Sequence, residues 1–82
     1  MKKEEVIDAL STKISEKILR QPDRKITAEE ELISTGLIDS FSLVDLALLV
    51  EDLYGVRIED YELNSDTFDT LDQLAEIVIG RA

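Results

Sequence analysis

The chain contains no cysteine, no histidine and no tryptophan. The missing cysteines exclude disulfide staples and match a reducing compartment. Without Cys or His, the usual nucleophile–base pairs and the common zinc-ligand sets are absent as well, which argues against an enzyme and leaves lysines and carboxylates as the remaining reactive groups. No run approaches the roughly 20 apolar residues that cross a bilayer. The opening Met1-Lys2-Lys3-Glu4-Glu5 leads into an amphipathic pattern and not into a signal-peptide apolar core. The expectation is a soluble, cytoplasmic, monomeric protein that neither enters a membrane nor holds a metal.

Positive charge is also scarce, and unevenly so. Residues 1–25 hold seven of the nine basic groups and five acids, about +2. From residue 26 onward only Arg57 and Arg81 stand against fourteen acids, about −12. Such a field repels nucleic-acid phosphates and anionic lipid and favours basic protein surfaces. Eighty-two residues make one domain, spanning 1–82. A chain of this size buries only about 60–65% of the surface its unfolded form exposes, so its stability has to come from well-packed helices.

Apolar spacing supplies those helices. From about Glu4 to Leu19, Val6, Ile7, Leu10, Ile14 and Ile18 recur at steps of three and four, with Glu5, Asp8, Lys13, Glu16 and Lys17 on the other face. Gln21-Pro22-Asp23 is expected to end this helix, because proline disfavours helix in the residue before it. Between Pro22 and Asp39 no helical period persists. The scattered anchors Ile26, Leu32, Ile33, Leu37 and Ile38 predict a long ordered loop, with a short turn of helix around Ala28–Leu32.

Asp39 then has the chemistry of an N-cap, and a second helix is predicted from Ser40 to Tyr54, stopped by Gly55. Its apolar set (Phe41, Leu43, Val44, Leu46, Ala47, Leu48, Leu49, Val50, Leu53, Tyr54) is too broad for one face. The helix is either central or turns apolar residues toward a partner. Glu59–Leu63 reads as a short helix with Tyr61 or Leu63 turned inward, and Phe68 as a core residue. Thr70-Leu71-Asp72-Gln73 fits a capping box. The last helix buries Leu71, Leu74, Ile77 and Val78, with Gly80 closing it. The predicted fold is all-α: a small four-helix bundle, three longer helices and one short, with a long first loop.

The informative stretch is Gly36-Leu37-Ile38-Asp39-Ser40-Phe41, a loop that delivers a serine to the first turn of a helix. Unpaired N–H groups and the macrodipole there favour a negative group, so a phosphodiester on Ser40 would sit in a favourable field. Local physics does not name the modification, and a serine at a helix start is otherwise a cap or plain surface.

Asp39-Ser40-Phe41, followed by Val44, Asp45, Leu48, Glu51, Asp52 and Gly55-Val56-Arg57-Ile58, resembles the phosphopantetheine site and second helix of acyl and peptidyl carrier proteins. The resemblance is densest over residues 32–58, and helix order and acidity extend it along most of the chain. It implies a four-helix bundle with phosphopantetheine on Ser40, placed there from coenzyme A by a phosphopantetheinyl transferase. The arm would carry acyl or aminoacyl thioesters between partners. These would be an acyl- or aminoacyl-activating ligase and acyl-transferring enzymes with basic docking surfaces. By the same resemblance Asp39, Phe41, Asp45, Leu48, Glu51, Asp52, Glu59 and Asp60 fall at partner-contact positions.

Two departures from carriers of general fatty acid synthesis stand out. Phe41 follows the serine where those carriers usually have Leu, and Gly36-Leu37-Ile38 replaces a more usual small residue before the aspartate. Both are more similar to D-alanyl carriers and stand-alone carriers of specialised pathways. Read on their own, Phe41 and Leu48 fit core packing equally well, and the acids fit a solvated face. Asp66, Asp69 and Asp72 lack the alternating spacing, central Gly and closing Glu of a calcium loop. The rival reading is a small acidic helical interaction module with no prosthetic group.

Overall fold

The computed structural model describes residues 2–82, so Met1 lies outside the described residues. Three α-helices and one 3-10 turn follow in order: α1 (Lys3–Lys17), α2 (Ser40–Tyr54), the turn Asp60–Glu62 and α3 (Leu71–Arg81). No strand occurs among the described residues. The anticipated fourth helix is thus a single 3-10 turn. It is closed by a reciprocal box in which the Glu59 and Glu62 side chains each accept from the other's backbone N–H.

In α1, Val6, Leu10 and Ile14 are buried, while Ile7 and Ile18 lie half-covered against the same core. Glu4 and Glu5 sit in its first turn and Lys17 in its last, each complementing the macrodipole. The helix stops at Lys17, well before the proline. Leu19 donates its N–H to the Ile14 carbonyl at 2.9 Å, the six-to-one bond of a helix terminus, Arg20 adopts a left-handed backbone (φ 56°), and Gln21 donates to the Ser15 carbonyl at 2.8 Å. The chain is already turning before Pro22 restricts it.

α2 shows both capping features. Asp39 is extended (φ −79°, ψ 173°) and its carboxylate accepts the Ser42 N–H at 2.8 Å. Gly55 takes a left-handed conformation (φ 67°) and returns its N–H to the Glu51 carbonyl at 2.8 Å. Only Leu43, Leu46 and Val50 of this helix are fully buried. α3 opens on the Thr70/Gln73 capping box and buries Leu71, Leu74, Ala75 and Val78, with Ile77 half-buried. It runs through Gly80 to Arg81 and does not stop at the glycine. The Arg81 guanidinium pairs with Glu62 and donates to the Arg57 carbonyl at 3.1 Å, which holds the last turn in place.

Helices alone do not close this core. Ile26, Leu32, Ile38, Val56, Ile58 and Phe68, all in connecting segments, are 5% exposed or less and join the helical residues in one cluster. Each such burial is worth about 1.5–3 kcal/mol, so the connections contribute to stability as the helices do. The long first connection is moored to α1 by two buried serines that helical periodicity does not reveal. Ser11 Oγ donates to the Ile26 carbonyl (3.1 Å) and accepts the Ile26 N–H (3.2 Å), while Ser15 Oγ donates to the Arg24 carbonyl (2.7 Å). A single turn at Thr27–Glu30 replaces the expected helical turn around Ala28–Leu32. The reason is that the Ala28 carbonyl is taken by the Asp72 N–H of α3 (3.0 Å) and the Leu32 N–H by the Asp69 carbonyl (2.6 Å). Backbone groups bonded to α3 and the segment before it cannot also close a local helix.

Candidate functional site

Ser40 is the first residue of α2 and is exposed. Its position is set from both sides. Downstream, Asp39 fixes the helix start: its carbonyl accepts from Leu43 N–H at 3.0 Å and its side chain from Ser42 N–H. The Ser42 backbone bond, followed by the Ser42 side chain, holds the Asp39 carboxyl below the usual aspartate range. That carboxylate is therefore charged at neutral pH and drawn into the helix end. Upstream, residues 32–38 form a closed turn in which Ile38 donates to the Leu32 carbonyl (2.9 Å) and Gly36, left-handed at φ 77°, donates to the Ile33 carbonyl (3.0 Å). Leu32 and Ile38 are buried at the two ends of that turn, while Ser34, Thr35 and Gly36 stand in solvent.

The apolar excess of α2 turns outward. Phe41 is 87% exposed, Leu48 60% and Val44 50%, which removes core packing as the explanation for Phe41 and Leu48. Helical spacing puts Phe41, Val44, Asp45, Leu48 and Asp52 on one stripe, with Glu51 beside it. Asp45, Glu51 and Asp52 are all exposed. The expected acidic and apolar residues of α2 thus share one surface, and Ser40 opens it.

The two acids beyond α2 differ. Asp60 is exposed, whereas Glu59 is half-buried, accepts the Arg57 Nε–H at 2.7 Å and caps the 3-10 turn. Tyr61 points outward, 79% exposed, and the half-buried Leu63 is the residue of that turn that packs on the core. The three aspartates with calcium-like appearance are spread among separate tasks: Asp72 pairs with Lys3 at 2.9 Å, Asp69 binds the turn before Ser40, and Asp66 is exposed.

Two features went unread in the sequence. Val44 extends the exposed apolar stripe, and the Asp69 carboxylate gathers backbone N–H groups from a segment more than thirty residues away. A carboxylate immediately before a capping box was the available signal for the second.

An exposed hydroxyl at the first position of a helix, with no acid in the first turn of that helix, fits a bulky phosphodiester-linked group. The family model described as "Phosphopantetheine attachment site" matches residues 8–78. The chain belongs to that family. Among curated relatives, the D-alanyl carrier protein of Leuconostoc citreum is 35% identical over 68 residues, 83% of this chain and 80% of that one. The D-alanyl carrier protein of Bacillus subtilis is 31% identical over 80 residues, covering 92% and 95%. The meromycolate extension acyl carrier protein of Mycolicibacterium smegmatis is 38% identical over 60 residues, 73% of this chain and 60% of that longer one. No solved structure matches.

These similarities decide between the two readings open at the sequence level. The protein is a non-catalytic carrier with covalently attached phosphopantetheine, and not a module lacking a prosthetic group. Carriers of this kind work with transferases and ligases. Among the described residues, no helix is long and apolar enough to cross a membrane.

Proposed function

We propose that Ser40 is the residue that bears the phosphopantetheine and that the protein carries acyl or aminoacyl groups between enzymes of a specialised biosynthetic pathway. The observation that carries this reading is the exposed Ser40 hydroxyl at the start of α2, inside the matched region and directly after an aspartate committed to capping. When attached, the group supplies a terminal thiol able to hold such cargo as a thioester. The chain's own residues present it. Asp39 fixes the helix start, the turn 32–38 aims the serine outward, and tethering raises the effective concentration of cargo at each partner.

Phe41, Asp45, Leu48, Glu51, Asp52 and Asp60, with Glu59 in a capping role beside them, form the docking surface in this reading. Its partners are a phosphopantetheinyl transferase, an activating ligase and acyl-transferring enzymes with basic patches. Acidic side chains steer such encounters and leave affinity low enough for release, so binding should weaken with salt. The two D-alanyl carrier relatives and the Phe41 position favour aminoacyl or other specialised cargo over general fatty acids. A reducing cytoplasmic location suits a chain without cysteine, whose only thiol would then belong to the arm.

The test is intact-mass measurement after incubation with coenzyme A and a broad-specificity phosphopantetheinyl transferase. One arm should add to the wild type and none to Ser40→Ala, with the far-UV spectrum unchanged. A loaded Ser40→Ala, or a folded wild type that takes nothing, would refute the assignment.

A further inference from the structure

The turn that leads into Ser40 is held from outside its own segment as well as by its own backbone bonds. The Asp69 carboxylate, just before the N-cap of α3, accepts from Ile33 N–H (2.7 Å) and Ser34 N–H (2.9 Å) through one oxygen and from the Ser34 hydroxyl (2.6 Å) through the other. Its backbone carbonyl accepts from Leu32 N–H at 2.6 Å, and its own N–H is bonded to Gln73 Oε1 at 2.6 Å. Asp69 is thus fixed by the helix behind it and grips three consecutive residues in front of it. Leu32 relays the grip, since its carbonyl accepts the Ile38 N–H at 2.9 Å, and Ile38 precedes Asp39 and Ser40 directly.

The arrangement exceeds what packing needs. Leu32 and Ile38 are buried at the two ends of the turn, whereas Ser34, Thr35 and Gly36 between them are exposed, so hydrogen bonds rather than burial order its tip. Burial pushes the Asp69 carboxyl up, and the Ser34 hydroxyl with the amides of Ser34, Ile33 and Leu32 pulls it back below the usual aspartate range. The group is a charged acceptor with three donors, a stronger tie than neutral hydrogen bonds give.

We infer that Asp69 is a positioning residue for modification at Ser40, fixing from the entry to α3 the turn 33–37, with its exposed tip Ser34–Gly36, beside which the transferase must place coenzyme A. The inference rests on Ser40 being the attachment residue. Asp69 touches neither the serine nor the incoming group, so its effect belongs in the rate at saturation. The docking face on α2 is untouched, and the Michaelis constant for the carrier should hold.

The experiment compares transferase kinetics and amide hydrogen exchange for the wild type, Asp69→Ala, Asp69→Asn, Ser34→Ala and Ser40→Ala, all well below their melting temperatures. In Asp69→Ala, kcat should fall about tenfold, in line with the sensitivity of transfer reactions to small misplacements, while KM for the carrier stays within about twofold. Exchange should quicken at Ile33 and Ser34 and stay unchanged at Leu10 in α1. Asp69→Asn keeps an oxygen for both amides, and its NH2 can donate to the Ser34 hydroxyl, so kcat should recover to within about twofold of wild type. Wild-type kcat in Asp69→Ala despite faster exchange at Ile33 and Ser34 would overturn the inference. Should Asp69→Ala fail to fold, Ser34→Ala decides: a lowered kcat at constant KM supports the inference, and wild-type kcat with faster exchange overturns it. Loading of Ser40→Ala would remove the attachment reading itself, and the inference with it.

Discussion

The chain has two phenylalanines, and they sit in opposite environments: Phe68 is 0% exposed and Phe41 87%. Truncating a fully buried Phe to Ala costs about 3–5 kcal/mol. A domain of this length has about 4–12 kcal/mol of stability in total, so Phe68→Ala risks unfolding outright and Phe68→Leu is the measurable perturbation. It removes part of the ring's contacts and leaves a void, for a loss of about 1.5 kcal/mol. The unfolding entropy of a chain this long is about 0.17 kcal/mol/K, which turns that loss into a melting temperature lower by about 9 °C. Phe41→Ala removes a ring that water already surrounds, and its effect should stay within about 0.5 kcal/mol, or about 3 °C. The same substitution should raise the transferase KM for the carrier several-fold, because exposed aromatics anchor interfaces. Thermal unfolding followed by far-UV circular dichroism, together with loading kinetics, reads both halves. If Phe41→Ala melts as low as Phe68→Leu, the ring belongs to the core in solution and the docking surface loses its apolar anchor.

Two further outcomes follow from charge and backbone. The Arg81 guanidinium, and after it the Glu59 amide, pull the Glu62 carboxyl from an ordinary 4.5 down to about 2. Because the folded value is the lower one, the stabilisation is complete above 4.5 and is lost as pH falls toward 2. Glu62→Gln should therefore flatten the acid side of the Tm–pH curve in that window, and parallel curves would show that another group governs acid unfolding. Gly55 is left-handed at φ 67°, and a Cβ there would meet nothing within 4 Å. The cost of Gly55→Ala is then conformational only, about 1 kcal/mol and about 6 °C in Tm. No change would mean that the α2 terminus relaxes without the left-handed residue.

Sequence reading reached the elements that carry their own local signals. Asp39 before Ser40, Gly55 after Tyr54 and Thr70 with Gln73 are cap chemistries written in adjacent residues, and all three appear in the structure. It failed where distant groups compete for the backbone. The helix around Ala28–Leu32 did not form, because the Ala28 carbonyl is engaged by α3 and the Leu32 amide by Asp69 just before it, and Gly80 did not stop α3, because Arg81 is held by Glu62. Ser11 and Ser15 lie among polar residues in the helical pattern, and their partners become visible only when the loop is placed across them. Phe41 and Leu48 show the same limit at the site. The crowding of α2 established that some apolar residues must face out, and only packing identified which.

The first connection has a consequence for how this carrier can change. In most small domains a segment of that length without helix or strand would be the natural place to cut, lengthen or permute the chain. Here it is the missing side of the bundle. Ile26, Leu32 and Ile38 seal an edge that three helices leave open, and neutral hydroxyls on one side with a carboxylate on the other hold it closed. Freedom to diversify is thereby displaced to the exposed stripe of α2, where new partners can be accommodated without disturbing the wall behind the serine.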